Sequence, residues 1–364
     1  MVMKMKGKIA VMTEPGALEY QEYDVPTPGP GDVIVKVLCS NVCGSELHIW
    51  SGEHPKKSGG LGHETVGLVH QLGDGVVTDN AGQEIKVGDR IAATYFIACQ
   101  HCPTCQSGRL NLCENAYSFW AKQPEEYPHF HTTFSTHYFI HPGQFFYKVP
   151  DNVPDALAAG ANCALSQVYY GVDQAVVSLG DKVVVQGAGG LGIYATAILK
   201  SQGVEVIVID ADKSRLALAV EFGADHVINM NDYKSKEERI NAVRELTNGQ
   251  GADACIEVAG VPAAFAEGLG LVRSGGKFVT MGNVTPGKSI EIDPGFITRQ
   301  QVMIIPVMRY SPEYLHKALS FLSKNIDRLP FNKMLDAEYS LENVKDALTD
   351  SMERKVTRAT ILLK

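Results

Sequence analysis

Along the first part of the chain, apolar residues recur in short runs broken by Gly and Pro. Val33–Leu38, Thr65–Leu72, Arg90–Tyr95 and Phe134–Ile140 read as strands, and segments such as Pro28-Gly-Pro-Gly-Asp and Val87-Gly-Asp read as turns between them. This texture, holding to about residue 160, predicts an all-β barrel with inserted loops. From about residue 180 the period changes. Strands are expected at Lys182–Gln186, Glu205–Ile209, His226–Asn229, Asp253–Val258, Lys277–Met281 and Val302–Val307. Helical spacing falls between the first five, at Leu191–Ser201, Ser214–Phe222, Glu237–Thr247 and Ala263–Val272, while the stretch before the sixth strand looks irregular. Six strands alternating with helices predict a doubly wound parallel sheet, so the fold class is α/β. The last stretch shows two amphipathic helices and a final apolar strand, Ala359–Leu363, expected to return to the first domain.

Composition narrows the function. A chain of 364 residues has room for two domains. A net charge of −8 with no basic stripe argues against a nucleic-acid partner. No apolar run approaches the ~20 residues of a membrane span, and Met1–Lys6 is not followed by a signal-type apolar region. A cytoplasmic location is therefore expected, where thiols stay reduced.

That location governs the reading of the eight cysteines. Cys99, Cys102, Cys105 and Cys113 fall within 15 residues, a spacing that suits a closed structural zinc site. Cys39 and Cys255 lie in apolar, strand-like surroundings and are expected to be core thiols. Cys43, His63, with Glu64 after it, and Cys163 are scattered. Taken singly, each is more simply a buried thiol or a core histidine.

Gly187-Ala-Gly189-Gly190-Leu191-Gly192 joins a predicted strand to a predicted helix. In that context Gly187 permits a tight turn, Gly189 lets the backbone approach a pyrophosphate, and Gly192 allows close packing of helix on strand. The helix N-terminus supplies free N–H groups for the anion. Asp210 follows 18 residues after Gly192 at the end of the second strand. A carboxylate there can accept from the ribose hydroxyls and repel a 2′-phosphate, which favours NAD. Arg215 could flank the adenosine or stand in solvent.

The succession Cys43-Gly44-Ser45-Glu46, Gly62-His63-Glu64, the four-cysteine lobe, Cys163 and GxGGxG resembles the zinc-dependent medium-chain alcohol dehydrogenases, from about Val33 to Arg358. The resemblance implies a GroES-like catalytic domain over 1–163 and 309–364, and a six-stranded Rossmann domain over 164–308. It implies two zinc ions per chain: a catalytic one at Cys43, His63 and Cys163 beside Glu64, and a structural one in the cysteine lobe. Zinc would act as a Lewis acid on an alcohol while NAD(H) exchanges hydride. Ser45 and His48 match a proton relay, Glu46 the group that orients the histidine ligand, and Arg358 a pyrophosphate contact. Trp50, Tyr95, Phe119 and Phe134 match or neighbour pocket-lining positions, which suits a hydrophobic, cyclic or aromatic alcohol. The aromatic- and histidine-rich segment 117–131 is expected to cover that pocket. Glu46 in place of the usual Asp, Gly44 in place of a basic residue and Gln167 in place of a threonine depart from the pattern. A homodimer or homotetramer is implied as well. A polyol dehydrogenase, a zinc-free enone reductase and a non-catalytic NAD-binding protein are the alternatives on this fold. The ligand cysteines and Ser45 weigh against the last two, and Cys163, where the polyol branch often has Glu, against the first.

Overall fold

The computed structural model describes residues 5–282 and 287–363. The chain divides into two units, Met1–Cys163 with Ser311–Lys364, and Ala164–Tyr310.

The first unit is built on the antiparallel pair Val33–Asn41 and Glu64–Leu72. Around it the sheet runs in the order Ala337–Ser340, Ala359–Leu362, Val33–Asn41, Glu64–Leu72, Arg90–Ala93, Phe146–Lys148, with His137–Ile140 also paired to Val33–Asn41. A second, three-stranded sheet joins Ala17–Asp24, Lys6–Glu14 and Gly59–Gly60. Alternation along Val33–Asn41 explains why it is central. Val33, Val35 and Val37 face one apolar core, with Trp50, Phe134 and Leu348, while Ile34 faces another, with Ile9, Phe130 and Phe139. Each such side chain taken from water contributes about 1.5–3 kcal/mol. The C-terminal segment extends one edge of this sheet. Its helices Glu313–Asn325 and Val344–Met352 precede the strand Ala359–Leu362, which pairs antiparallel with Cys39–Asn41.

In the second unit the six strands are all parallel. Numbered along the chain, they lie in the order third, second, first, fourth, fifth, sixth. The first strand, Lys182–Gln186, sits at the centre, and Val183, Val184 and Val185 are wholly buried, as a strand covered on both faces requires. The order reverses between the first and fourth strands, the place where such sheets receive ligands at their carboxyl ends.

Several elements went unforeseen. The hairpin Lys6–Glu14 with Ala17–Asp24, the helix Asp155–Gly160, the helix Pro294–Gln300 and the strand Ala337–Ser340 all exist. The stretch before the sixth strand is thus helical in part, capped by Asp293, whose carboxylate accepts from the Gly295 and Phe296 N–H groups. Cys39 and Cys255 are fully buried, as expected of core thiols. Among the described residues, no helix is long and apolar enough to cross a membrane.

Candidate active site and metal centres

Cys43 stands immediately before the helix Gly44–Trp50, at its N-cap. Its N–H donates to Glu46 Oε2 at 2.9 Å, so the third residue of the helix reaches back to close the first turn. The other Glu46 oxygen lies 2.5 Å from His63 Nδ1. One buried carboxylate therefore fixes both the loop bearing Cys43 and the imidazole of His63. With Nδ1 committed to Glu46, His63 Nε2 points to Cys163 Sγ at 3.3 Å. Cys163 sits on a π-helical turn, Ala161–Leu165, a distortion found often at functional sites. Its neighbour Asn162 donates to the carbonyls of His63 and Ala93 at 2.8 and 2.9 Å, which locks this turn to the strands.

Cys43, His63, Glu64 and Cys163 each offer a donor atom, and these four atoms lie within 4.8 Å of one another. The two sulfurs are 3.8 Å apart, far beyond the ~2.0 Å of a disulfide. Two thiolates at zinc–sulfur lengths of about 2.3 Å in a tetrahedron would stand about 3.8 Å apart. Glu64 is wholly buried: Oε2 pairs with the Arg358 guanidinium, while Oε1 is buried without a hydrogen-bond partner. An acidic oxygen left unmatched beside two sulfurs and an imidazole is what a missing cation would leave. The hydrogen bond with Cys163 holds the Cys43 thiol well below its ordinary range and pushes Cys163 well above its own. Burial pulls His63 down, but Glu46 and Cys43 outweigh it and hold the ring above the usual histidine range. Burial pushes Glu64 up to about 8 against the pull of Arg358. The donor set fits zinc.

The second cluster is local. Cys99, Cys102, Cys105 and Cys113 also place their sulfurs within 4.8 Å of one another. Backbone N–H groups of Cys99, Cys102 and Cys105 donate to Cys113, Cys99 and Cys102 sulfurs, each at 3.4 Å, and Asn115 Nδ2 donates to Cys99 at 3.4 Å. The Asn115 contact helps bring Cys99 down to about 5, while burial pushes Cys105 up to about 12. Four crowded sulfurs cannot all ionise without a cation, and four thiolates with no open position suit structural zinc.

In the second unit the glycine turn is built as its sequence suggests. Gly187 has φ +98°, and a Cβ there would press on the Ala259 backbone at 3.0 Å. At Gly192 a Cβ would meet Gly187 O at 1.8 Å. Gly189, the N-cap of the helix Gly190–Ser201, and Gly190 face open space, where a phosphate could approach the first-turn N–H groups. Leu191 follows in that first turn. Asp210 ends the second strand. Its Oδ2 accepts from Ala188 N–H at 2.7 Å and its Oδ1 from Asp212 N–H at 2.8 Å, which aims the carboxylate at the glycine turn. The next helix is capped by Asp212, not Asp210.

These features have known counterparts. Residues 29–151 match the family described as Alcohol dehydrogenase GroES-like domain, and residues 190–324 match Zinc-binding dehydrogenase. The chain is 32% identical to the 5-exo-hydroxycamphor dehydrogenase of Pseudomonas putida over 94% of each chain. This protein belongs to the zinc-dependent medium-chain dehydrogenase/reductase family. An L-threonine 3-dehydrogenase from Pyrococcus horikoshii shares 33% identity with it over 77% of each chain. The crystal structure of an alcohol dehydrogenase from Thermotoga maritima superposes with a TM-score of 0.92 at 29% identity, covering 99% of this chain and 100% of that one. As a member of this family the protein is an oxidoreductase with a GroES-like domain and a Rossmann domain.

The Arg358 guanidinium pairs with Glu64, the counter-charge that a fully buried carboxylate needs. Arg215 is exposed in the first turn of its helix. Ser45 and His48 are exposed on one helix, and His48 Nδ1 bonds Glu53 Oε2 at 2.8 Å. The four aromatics expected at the substrate do not share one environment. Trp50 and Phe134 belong to the barrel core, and Phe119 stacks on His141 at 3.5 Å. Of the four, Tyr95 alone packs on a ligand residue, with its ring 5.0 Å from that of His63. Asn162 and Glu53 had no sequence signal. Each acts through a partner remote in sequence or through loop geometry.

Proposed function

We propose that this protein is a zinc-dependent, NAD(H)-linked alcohol dehydrogenase that interconverts a hydrophobic alcohol, cyclic or aromatic, with its ketone or aldehyde. One observation carries the reading: Cys43, His63 and Cys163 converge around a carboxylate-fixed imidazole, with one unmatched buried oxygen of Glu64 beside them. In this reading they hold a catalytic zinc, and the four-cysteine lobe holds a structural one. When bound, zinc supplies Lewis acidity at the alcohol oxygen, and nicotinamide supplies the hydride acceptor.

The residues of the chain do the rest. Glu46 keeps the His63 proton on Nδ1, which leaves Nε2 as a donor to the cation. Ser45 and His48 lie three residues apart on the helix Gly44–Trp50, a spacing that brings side chains together. Ser45 Oγ can both accept and donate a proton. With Nδ1 on Glu53, His48 receives the proton at Nε2 and, being exposed, passes it to water. Gly187, Gly189, Gly190, Leu191 and Gly192 would cradle the pyrophosphate of NAD, and the two remaining lone-pair directions of Asp210 would take the adenosine ribose. The likeness to an enzyme named for a hydroxycamphor, together with Tyr95 against His63, supports a bulky apolar alcohol.

The test is NADH formation by the zinc-loaded enzyme across ethanol, polyols, benzyl alcohol and cyclic secondary alcohols. Bulky apolar alcohols are expected to give the highest kcat/KM. No turnover of any alcohol at full zinc content would sink the reading.

A further inference from the structure

A row of aromatic rings leaves the ligand cluster. Tyr95 packs on His63, Tyr117 stacks on Tyr95 with centroids 6.4 Å apart, and Trp120 lies 6.1 Å from Tyr117. The row ends on a cation: Lys56 Nζ stands 3.9 Å from the Trp120 ring centroid. Tyr95 follows the strand Arg90–Ala93, so the barrel fixes it. Tyr117 and Trp120 belong to the 117–131 segment, which is made of turns.

The far end of that segment is tied down by its own contacts. Tyr127 OH donates to Thr27 O, and the His129 ring stacks on Tyr23 at 4.4 Å. At the near end the tie is Lys56, in the connection between the helix Gly44–Trp50 and the strand Gly59–Gly60, shortly before His63. Its ammonium donates to Gly60 O at 2.9 Å and to Trp120 O at 3.5 Å. An ammonium has three donors and no acceptor. Here two of them join two segments far apart in sequence, and the charge faces the indole of one of them. Lys56 is half-buried, and burial holds its amine down to about 8. Lys57 beside it is exposed and bonds only locally, to Gly52 O.

We propose that Lys56 is a positioning residue that latches the 117–131 segment to the connection leading into His63, so that Tyr117 and Trp120 extend the wall begun by Tyr95 and select ring-bearing alcohols over short-chain ones. The substrate half rests on the function proposed above. The latch itself does not.

The experiment compares the zinc-loaded wild-type enzyme with Lys56→Met, Lys56→Arg and Lys57→Met. Lys56→Met keeps the stem and removes the charge and donors, Lys56→Arg restores a cation, and Lys57→Met is the control. Acrylamide quenching of tryptophan emission reports the latch without any turnover, because Trp50 is buried in the barrel core and Trp120 is half-buried. Lys56→Met is expected to raise the quenching constant at least twofold, Lys56→Arg to recover most of the protection, and Lys57→Met to match wild type. Over the same set, the ratio of kcat/KM for benzyl alcohol to that for ethanol is expected to fall about tenfold in Lys56→Met, mainly through KM for benzyl alcohol. Unchanged quenching in Lys56→Met overturns the latch. Raised quenching with an unchanged ratio overturns the selective wall. Absence of turnover in the wild type overturns the functional reading and the substrate half with it, while quenching still decides the latch.

Discussion

In the function proposed above, cofactor choice rests most sharply on one side chain, Asp210. Its carboxylate has about four lone-pair directions. Two are taken by the N–H groups of Ala188 and Asp212, at 2.7 and 2.8 Å, and two remain for a ribose. Hydrogen bonds to a charged group are worth about 1.5–3 kcal/mol each, and Asp210→Ala forfeits two of them while water recovers part of the loss. A net loss of about 2–4 kcal/mol predicts a fall of roughly 30- to 1000-fold in kcat/KM with NAD, at 1.4 kcal/mol per decade. With NADP the sign reverses. Like charges about 4 Å apart near a protein surface repel by a few kcal/mol, so removing the carboxylate should raise kcat/KM with NADP tenfold or more. The assay is initial-rate kinetics with both cofactors on one alcohol. Thermal unfolding serves as the control, because Asp210→Ala also leaves two backbone donors without their acceptor. A folded variant whose NAD-to-NADP ratio moves by less than threefold would refute the assignment of Asp210.

Three further outcomes follow from the structure. Glu46→Gln replaces the carboxylate that holds both His63 and Cys43, and such supporting groups typically account for 10- to 100-fold in metal affinity; competition with a chelator should show a loss on that scale from one of two zinc sites. His137 and His141 are buried and held down, by burial above all, to about 4 and about 3. Because their folded values lie below the unfolded 6.5, the stability they confer as neutral rings is full above pH 6.5 and is lost as pH falls toward 4 and 3. At about 1.4 kcal/mol per pH unit the loss is on the order of a few kcal/mol each, so His141→Phe, which keeps a ring against Phe119, should flatten the fall of Tm with acid, and a slope equal to wild type would contradict this. Arg239 and Glu267 form a buried two-fold contact at 2.7 and 2.8 Å between two helices of the Rossmann unit; Arg239→Met strands the Glu267 charge and should destabilise by about 3–5 kcal/mol in denaturant unfolding, against near zero if the pair were merely superficial.

What the sequence disclosed tracks the range of the interactions involved. The six parallel strands and the glycine turn were legible because burial on both faces writes continuous apolar runs, and Gly192 answers to Gly187 within the same turn. The cysteine lobe was legible for the same reason. The hairpin Lys6–Glu14 with Ala17–Asp24 escaped because half of its second strand, Leu18-Glu-Tyr-Gln-Glu-Tyr-Asp24, is charged or polar and faces water. The helix Pro294–Gln300 has no buried residue and hence no apolar stripe to betray it. The scattered ligands are a different case. Cys43 and Cys163 meet across 120 residues, and only resemblance to a family could join them beforehand. Arg358 on Glu64 and Lys56 on Trp120 are likewise long-range pairings that no local pattern encodes.

The most direct test of the whole account is zinc content by elemental analysis of the purified wild-type protein and of Cys163→Ala, each checked for a folded state by circular dichroism. The account predicts two zinc ions per wild-type chain and one in Cys163→Ala, with alcohol oxidation lost in the variant. One zinc or none in the wild type, or two retained in a folded Cys163→Ala that still oxidises alcohols, would contradict it.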